Sequence, residues 1–388
     1  MLPVAATERH LRNTLPKPGG VFHIVGQKRE KEVIMTGQVW VDQAKITNAV
    51  LQHVDQAPLQ HGQARLALES FALTVNNVTY AATGFVIGYW KFFPAQTEGQ
   101  GIVPVWGVAK VVESESDAVR VGQRFYGFYP MAEEVVVEPM TGMGGFVDSA
   151  AHRERLPLIY NTYAAVKEGT PEQDHLRALL QPLLATSYLL FDWLSDNVWF
   201  GAEQIIIGSA SSKTGLGLAK FLAEPKERPY RIVGLTSAAN RAFVEGVQAC
   251  DEVVCYDDIE QLEKLPSVYV DMAGNADVKR RLHTHLTDQL QHSAAVGTSH
   301  WDKFEQPQDL PGPKPQFFFA PSQVAKRREE WGPGVIERNI TAAWKRIAED
   351  AGSWLRLVTH DGLSTAPEVY ARLAAGQMKP SEGHVIVI

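Results

Sequence analysis

Residues 204–223 read QIIIGSASSKTGLGLAKFLA, and this stretch decides the fold. Its three isoleucines form a short apolar run that stops at Gly208, which predicts a buried β-strand. From Leu216 onward, apolar residues recur at helical spacing, which predicts an α-helix. A strand, a loop of small residues and a helix start predict a pyrophosphate-binding turn, because small side chains let the backbone approach a ligand and helix N-terminal amides attract phosphate.

The residues after this turn indicate which dinucleotide would bind. A second predicted strand, residues 231–235, ends about 20 residues beyond the loop, where an NAD site usually carries an acidic residue for the ribose hydroxyls. Ser237, Asn240 and Arg241 stand there instead, with Lys213 expected close by. An absent carboxylate beside cations favours the 2'-phosphate of NADP(H). The predicted cofactor-binding residues are Gly208, Ser209, Ser211, Ser212, Lys213, Thr214, Gly215, Ser237, Asn240, Arg241, Gly274, Gly297 and Thr298.

Two other interpretations of the same loop stay open. An ordinary strand-to-helix turn that binds nothing has the same local pattern. Gly208, Lys213 and Thr214 also come close to a P-loop, but Ser212 stands where that motif has a glycine and the spacing is one residue short. The alternating strands and helices around the loop favour the dinucleotide over both.

Length and charge limit the class of protein and its partners. The 388 residues are enough for two domains, and 45% hydrophobic and 21% charged residues are typical of a globular chain. A net charge of -7 and the lack of a sustained Lys/Arg stripe argue against nucleic acid or an anionic membrane as partner, which leaves a small-molecule substrate. The sequence shows no secretory signal core and no membrane-spanning apolar run, so we expect a cytoplasmic protein.

Hydrophobic periodicity divides the chain into two kinds of region. The first 160 residues are β-rich, with predicted strands that include residues 21–25, 32–36, 64–75, 105–114 and 134–137. From about Asp174 the period becomes helical, and strands then alternate with helices up to a last predicted strand at residues 316–320. This alternation predicts a parallel, doubly wound sheet. The last residues, 385–388, have strand character again, which indicates a return to the first region.

Several segments occur in an order that is typical of one superfamily. Residues 75–80 read VNNVTY, residues 121–127 read VGQRFYG, and residues 383–388 read GHVIVI after a helix rich in Ala and Leu. They resemble the active-site segment, the barrel turn and the last strand of the medium-chain dehydrogenase/reductase superfamily, in its zinc-independent quinone-oxidoreductase-like branch. Residues 76–80, 92–95, 209–214 and 298–301 also resemble an uncharacterised bacterial subfamily.

The resemblance implies a fold and a domain division. It implies an α/β protein with a GroES-like β-barrel catalytic domain and a Rossmann-type doubly wound parallel sheet. The discontinuous catalytic domain would comprise residues 1–170 and 346–388, and the dinucleotide-binding domain residues 171–345. The resemblance also implies a homodimer formed by edge-to-edge extension of the sheet.

The chain departs from the zinc-dependent members of that superfamily. Those enzymes carry a cysteine ligand near residues 76–79 and a Gly-His-Glu segment where residues 104–107 here read PVWG. The two cysteines, Cys250 and Cys255, lie in the presumed nucleotide domain, so a zinc site with the usual thiolates is not predicted. His283 and His285 are two residues apart and do not share a helix face, so we expect surface positions for both.

Without a metal Lewis acid, hydride from the nicotinamide must go to an activated C=C bond or to a quinone or carbonyl. Tyr80 is the candidate proton donor, because a phenol can protonate or hydrogen-bond a developing enolate. Asn76, Asn77 and Thr79 would position the substrate or the nicotinamide amide. His300 could act as an acid or base. A packed barrel tyrosine and a structural histidine are the alternatives for Tyr80 and His300.

Two clusters of aromatic residues, within 89–93 and 106–129, predict either a large apolar substrate pocket or a packed core. Tyr163 and Lys167 also have the spacing of a short-chain dehydrogenase pair. In that family the nucleotide loop precedes the pair, whereas here it follows, so we interpret the spacing as chance. The non-enzymatic alternative is an NADP(H)-binding redox sensor or structural protein that has lost turnover.

Overall fold

The β-rich first part of the chain folds into two sheets that enclose one apolar core. The computed structural model describes residues 35–167, 169–297 and 309–388, and Met35–Ile388 form one compact unit. Val39, Leu66 and Val105 from three of the strands are fully buried in this core. The strands are β1 (Met35–Asp42), β2 (Ala49–Asp55), β3 (Ala64–Leu73), β4 (Gln100–Gly101), β5 (Pro104–Ser114), β6 (Arg124–Pro130), β7 (Glu134–Val137), β8 (Pro139–Gly142), β9 (Gly145–Asp148) and β10 (Thr162–Ala165).

A six-stranded sheet is built from the alternating part of the chain. Its strands are β11 (Gln204–Gly208), β12 (Arg231–Thr236), β13 (Glu252–Cys255), β14 (Ser267–Asp271), β15 (Leu290–Ala295) and β16 (Gln316–Phe317). They are all parallel and lie in the order β13-β12-β11-β14-β15-β16, so the strand order reverses between β11 and β14. Ligands of such sheets bind outside the carboxyl ends of the strands at this reversal.

Eight α-helices complete the described part of the chain. They are α1 (Val75–Ala82), α2 (Pro171–Asp196), α3 (Lys213–Ala223), α4 (Arg241–Val247), α5 (Ala276–Leu286), α6 (Ala320–Trp331), α7 (Val335–Glu349) and α8 (Ala366–Ala374). Gly217 lets α3 lie against α2, because a Cβ there would come within 2.6 Å of the Ser187 hydroxyl oxygen. Within the described residues, none of the helices is long and apolar enough to cross a membrane.

The end of the chain returns to the barrel. Strands β17 (Arg356–Asp361) and β18 (Glu382–Val387) run parallel, and β18 pairs antiparallel with β3. The large mixed sheet therefore has the order β17-β18-β3-β5-β6-β10-β9-β8, with β7 also on β3, and a smaller sheet has the order β2-β1-β4. The parallel, doubly wound sheet predicted from the sequence is confirmed, while the domain boundaries stay predictions.

Three sequence predictions differ from the structure, and a fourth concerns residues that the structure does not describe. The predicted strand at residues 64–75 ends at Leu73, because Thr74 caps a helix there. The predicted surface position of His283 is wrong: its ring is buried and bonds the Pro311 carbonyl oxygen and the Ser293 hydroxyl at 2.9 and 3.0 Å. The strand predicted at 316–320 shortens to two residues because α6 begins at Ala320. The strand predicted at 21–25 lies outside the described residues.

Candidate functional site

A cavity of about 690 Å³ lies between the parallel sheet and the barrel. Its position is the one expected for a ligand of a doubly wound sheet, beside the carboxyl ends of β11 and β14. We call its two sides the sheet wall, formed by residues 209–214, Asn240 and residues 296–297, and the barrel wall, formed by residues 73–79 and 373–384. The volume is within the range of small-molecule and cofactor sites.

The small-residue loop forms the centre of the sheet wall. Ser209 has φ of 54°, and the Ser212 hydroxyl caps α3 by accepting a hydrogen bond from the Gly215 amide at 3.1 Å. A Cβ on Gly215 would lie 2.7 Å from the Ser209 carbonyl oxygen, so the loop needs glycine there. Gly208 is buried against the Tyr269 hydroxyl, and Ser211 and Thr214 border the cavity. The start of α3, where the backbone amides have no partner within the helix, thus borders the cavity.

Of the three residues predicted for the 2'-phosphate, Asn240 lies on this wall. The Asn240 side-chain amide donates to the Ser211 hydroxyl at 3.3 Å, and both residues border the cavity. Ser237 and Arg241 do not border it; the Arg241 guanidinium is exposed and pairs with Glu245 at 2.7 Å. The adenine end of the predicted site is therefore open and polar.

Lys213 does not join this end of the site, contrary to the expectation that it neighbours the 2'-phosphate. Its ammonium donates to the carbonyl oxygens of Pro380 and Glu382, at 3.2 and 2.6 Å, on the barrel wall. Burial lowers the pKa of Lys213 to about 8, and the charge of Glu382 opposes this shift. Lys213 thus bridges the two walls.

Two of the predicted cofactor residues follow the next strands of the sheet. Gly297 borders the cavity, and a Cβ there would lie 2.3 Å from the Met272 carbonyl oxygen. Gly274 has φ of 74°, and its amide donates to Asp271 at 2.8 Å; it turns the chain after β14 and does not border the cavity. Thr298 and His300 lie outside the described residues and stay predictions.

Helix α1 places the predicted catalytic residues on the barrel wall. Thr74 caps the helix, so residues 76, 79 and 80 lie on neighbouring positions of a helical face instead of a strand. The Asn76 side-chain amide donates to the Tyr80 hydroxyl at 2.7 Å, and Thr79 borders the cavity. Asn77 is buried and donates to the Pro104 carbonyl oxygen at 2.8 Å, so its role is structural.

The Tyr80 hydroxyl has an unusual environment. It accepts two hydrogen bonds, from Asn76 and from the Trp106 indole at 3.2 Å, which leaves its own proton free to be donated elsewhere. Burial, the largest cause, raises the pKa of Tyr80 far above 10, and Tyr160 adds to this shift. The two N–H donors lower the pKa in part. The phenol therefore keeps its proton at neutral pH.

A second cavity of about 100 Å³ lies next to Tyr80. Ile87, Tyr89 and Tyr160 border it from the barrel, and residues 317–319 border it from the sheet side. Most other rings of the two aromatic clusters are core side chains, because Phe92, Phe93, Phe128 and Tyr129 are buried and pack on one another and on neighbouring rings. The prediction of a large pocket lined by both clusters is therefore wrong, and the structure has a small apolar cavity instead.

Tyr163 has a structural role. It is fully buried, donates to the Phe128 carbonyl oxygen at 2.6 Å and accepts from Arg153 at 2.9 Å. Tyr163 and Lys167 therefore do not form a catalytic pair, in spite of their spacing. Within residues 35–167, 169–297 and 309–388, no three His, Cys, Asp or Glu side chains form a metal-binding group.

Sequence reasoning missed the contribution of the chain's end to the site. Lys379, Glu382 and His384 border the cavity although they lie about 170 residues from the loop that they face. Trp106 was treated as a possible pocket residue, and its hydrogen bond to Tyr80 was not foreseen. The sequence signal that could have indicated this contribution is His384, a histidine within the apolar strand predicted at the end of the chain.

The fold is shared with solved structures, and the predicted combination of a GroES-like barrel and a Rossmann-type sheet is confirmed. CurA from Vibrio vulnificus in complex with NADPH has a TM-score of 0.60 at 15% identity, covering 90% of this chain and 98% of its own. The yhdH oxidoreductase from Salmonella enterica in complex with NADP has a TM-score of 0.51 at 15% identity, over 91% and 99% of the two chains. The quinone oxidoreductase from Coxiella burnetii has a TM-score of 0.51 at 14% identity, over 92% and 100%.

The family is defined by sequence as well. Residues 71–379 match the family described as "Protein of unknown function (DUF2855)", and the chain belongs to it. No curated protein sequence matches the chain.

Proposed function

We propose that this protein is an NADP(H)-dependent oxidoreductase that transfers hydride, without a catalytic zinc, to an activated C=C bond or to a quinone or carbonyl with an apolar or aromatic body. The observation that carries the proposal is the cavity itself. It joins the glycine- and serine-rich start of α3 on one side to Asn76 on the other, and Asn76 donates to Tyr80, which borders the adjoining smaller cavity. The similar structures of CurA and yhdH contain NADPH and NADP, which supports the choice of cofactor.

The residues of the sheet wall fit a dinucleotide. The main chain of residues 208–215 would hold the pyrophosphate, because the start of α3 borders the cavity and Gly215, without a Cβ, lets the loop pack tightly against the Ser209 carbonyl oxygen. Ser237, Asn240 and Arg241 would hold the 2'-phosphate at the open end. Gly297, and Thr298 beyond it, would border the nicotinamide. When bound, the cofactor supplies a hydride.

The residues of the barrel wall would supply the proton and the orientation. Tyr80 holds a proton on its hydroxyl oxygen at neutral pH and gives it to the substrate atom that gains negative charge. The Asn76 and Trp106 N–H groups then stabilise the phenolate, because both already donate to that oxygen. Thr79 would position the reacting group, and the small cavity beside Tyr89 and the phenylalanines at 317–319 would take the apolar body.

Two measurements test this proposal. Quenching of the nine tryptophans should give at least tenfold tighter binding of NADPH than of NADH. Small quinones and enones, each mixed with NADPH, should cause loss of the nicotinamide absorbance. Absence of binding to either cofactor would refute the proposal. Binding without turnover of any substrate in a broad panel would indicate the sensor instead.

A homodimer and a cytoplasmic location belong to the same proposal. Strand β16 lies at the edge of the parallel sheet and both of its residues are exposed, as pairing between two copies would require. Light scattering should give twice the chain mass of 42.9 kDa. A mass equal to one chain would rule out the dimer and leave the site unaffected.

A further inference from the structure

His384 is a buried histidine in the middle of strand β18 with one nitrogen satisfied and one not. Its residue surface is 4% exposed, and it borders the main cavity. Its Nδ1 lies 3.1 Å from Nε2 of His360, on the neighbouring strand β17. Its Nε2 has no hydrogen-bond partner among the residues that the structure describes. A buried polar atom that borders a cavity and has no partner is available to bond a ligand.

The surroundings of His384 fix its protonation. Burial, the largest cause, lowers the pKa of His384 to about 4. The nearby His360, Lys213 and Arg372 lower this pKa further, and the Glu382 carboxylate raises it. The imidazole is therefore neutral at pH 7 and carries a single N–H. The Glu382 carboxylate lies 3.7 Å from Nε2 and favours the proton on that nitrogen. Nδ1 then accepts from His360, and Nε2–H is a free donor.

The neighbours of His384 locate it along the cavity. The Lys213 ammonium bonds the Pro380 and Glu382 carbonyl oxygens, so the start of β18 lies opposite the N-terminus of α3. In the antiparallel register His384 pairs with Leu73, directly before the cap of α1. His384 therefore lies on the barrel wall between the contact of Lys213 with β18 and the start of α1.

We propose that His384 is a nucleotide-binding residue, whose Nε2–H donates to an oxygen of the pyrophosphate or of the ribose next to the nicotinamide. His360 is a positioning residue that keeps the His384 ring in the required tautomer. The inference rests on the proposed function, because it requires that the cavity hold a dinucleotide. It makes the last strand of the barrel part of the cofactor site.

Matched amide variants separate the two ring nitrogens. His384→Asn keeps a polar group near Nδ1 and removes the donor at Nε2, whereas His384→Gln places an amide near Nε2. Each variant is titrated with NADPH and with adenosine 2',5'-bisphosphate, which contains the adenine end alone. We expect His384→Asn to weaken NADPH binding about tenfold and to leave the bisphosphate unchanged, with His384→Gln within about threefold of wild type.

The same titrations test His360. His360→Leu removes the donor to Nδ1 and should weaken NADPH binding about threefold, and His360→Gln, which can still donate, should restore it. Unchanged bisphosphate binding shows that each variant is folded.

Three results would overturn the inference. Wild-type affinity of His384→Asn for NADPH would remove His384 from the site. An equal loss for both ligands would show that the residue acts on the fold and does not contact the nicotinamide half. A wild-type protein that binds neither ligand would refute the proposed function and this inference with it, and the two failures are thereby distinguishable.

Discussion

The two walls of the cavity are built in opposite ways. The sheet wall takes its centre from one continuous run, residues 209–214, with small side chains and main-chain amides. The barrel wall combines residues 73–79 with residues 373–384, about 300 positions apart, and carries the ionisable groups Lys379, Glu382 and His384. One wall is suited to hold a phosphate by its backbone, and the other offers side chains for orientation and proton transfer.

This difference predicts separate effects on binding and on rate. Changes in the loop of the sheet wall should weaken cofactor binding, because the backbone itself makes the contacts. Changes at Tyr80 should lower the rate with little effect on binding, because the hydroxyl acts only when charge develops on the substrate. Variants that break this separation would show that the walls do not have distinct roles.

Tyr80→Phe should have the largest effect. Removing the hydroxyl takes away the proposed proton donor and leaves the ring in place, so kcat should fall by about 10²–10³ while the Kd for NADPH stays within twofold. Stopped-flow absorbance with a quinone or enone substrate, together with a fluorescence titration, measures both quantities.

Tyr370→Phe is the matched control. Tyr370 is fully buried in α8, and its hydroxyl has no hydrogen-bond partner among the described residues. We therefore expect wild-type kcat and unchanged stability. A Tyr80→Phe enzyme as fast as this control would exclude Tyr80 as the donor and favour a packed barrel tyrosine.

Gly215→Ala should have the next largest effect, on binding. The new Cβ would meet the Ser209 carbonyl oxygen at 2.7 Å, so the loop has to move away from the phosphate position. We expect NADPH affinity to fall about thirtyfold, measured by calorimetry. Gly246→Ala is the control, since a Cβ there has nothing within 4 Å and the helix gains about 0.5–1 kcal/mol. Equal affinities of the two variants would contradict a backbone phosphate site at the loop.

The same contrast explains what the sequence could predict. The strand, loop and helix of residues 204–223 interact locally, so their pattern predicted both the sheet and the sheet wall. Thr74 directly follows a strongly apolar strand, and the alternating pattern of that strand continues past it. The pattern therefore did not predict that Thr74 caps a helix, which places Asn76 and Tyr80 together. Lys213 and His384 depend on contacts between distant segments, and single-sequence patterns contain no information on such contacts.

A pH dependence of stability should distinguish the barrel wall. The pKa of His384 is about 4, below the ordinary 6.5, so unfolding takes up a proton between these values and stability falls as the pH drops through this window. Between pH 7 and pH 5, wild type should lose about 2 kcal/mol more than His384→Gln, which cannot take up that proton. Guanidinium unfolding at the two pH values measures this difference, and equal losses would mean that His384 titrates normally.

The smallest predicted effect lies at the open end of the sheet wall. Arg241 is exposed and one helical turn from Glu245, which pairs with it at 2.7 Å and would compete with a bound 2'-phosphate. Glu245→Gln removes the competing charge, so NADPH affinity should rise about twofold while NADH affinity stays constant. The gain should disappear at high salt, because exposed charges are screened. Arg241→Ala should lower NADPH affinity and abolish the effect of Glu245→Gln in the double variant, which a double-variant cycle by calorimetry measures. If NADH gains as much as NADPH, the 2'-phosphate does not lie at Arg241, and this end of the wall binds a part that both cofactors share.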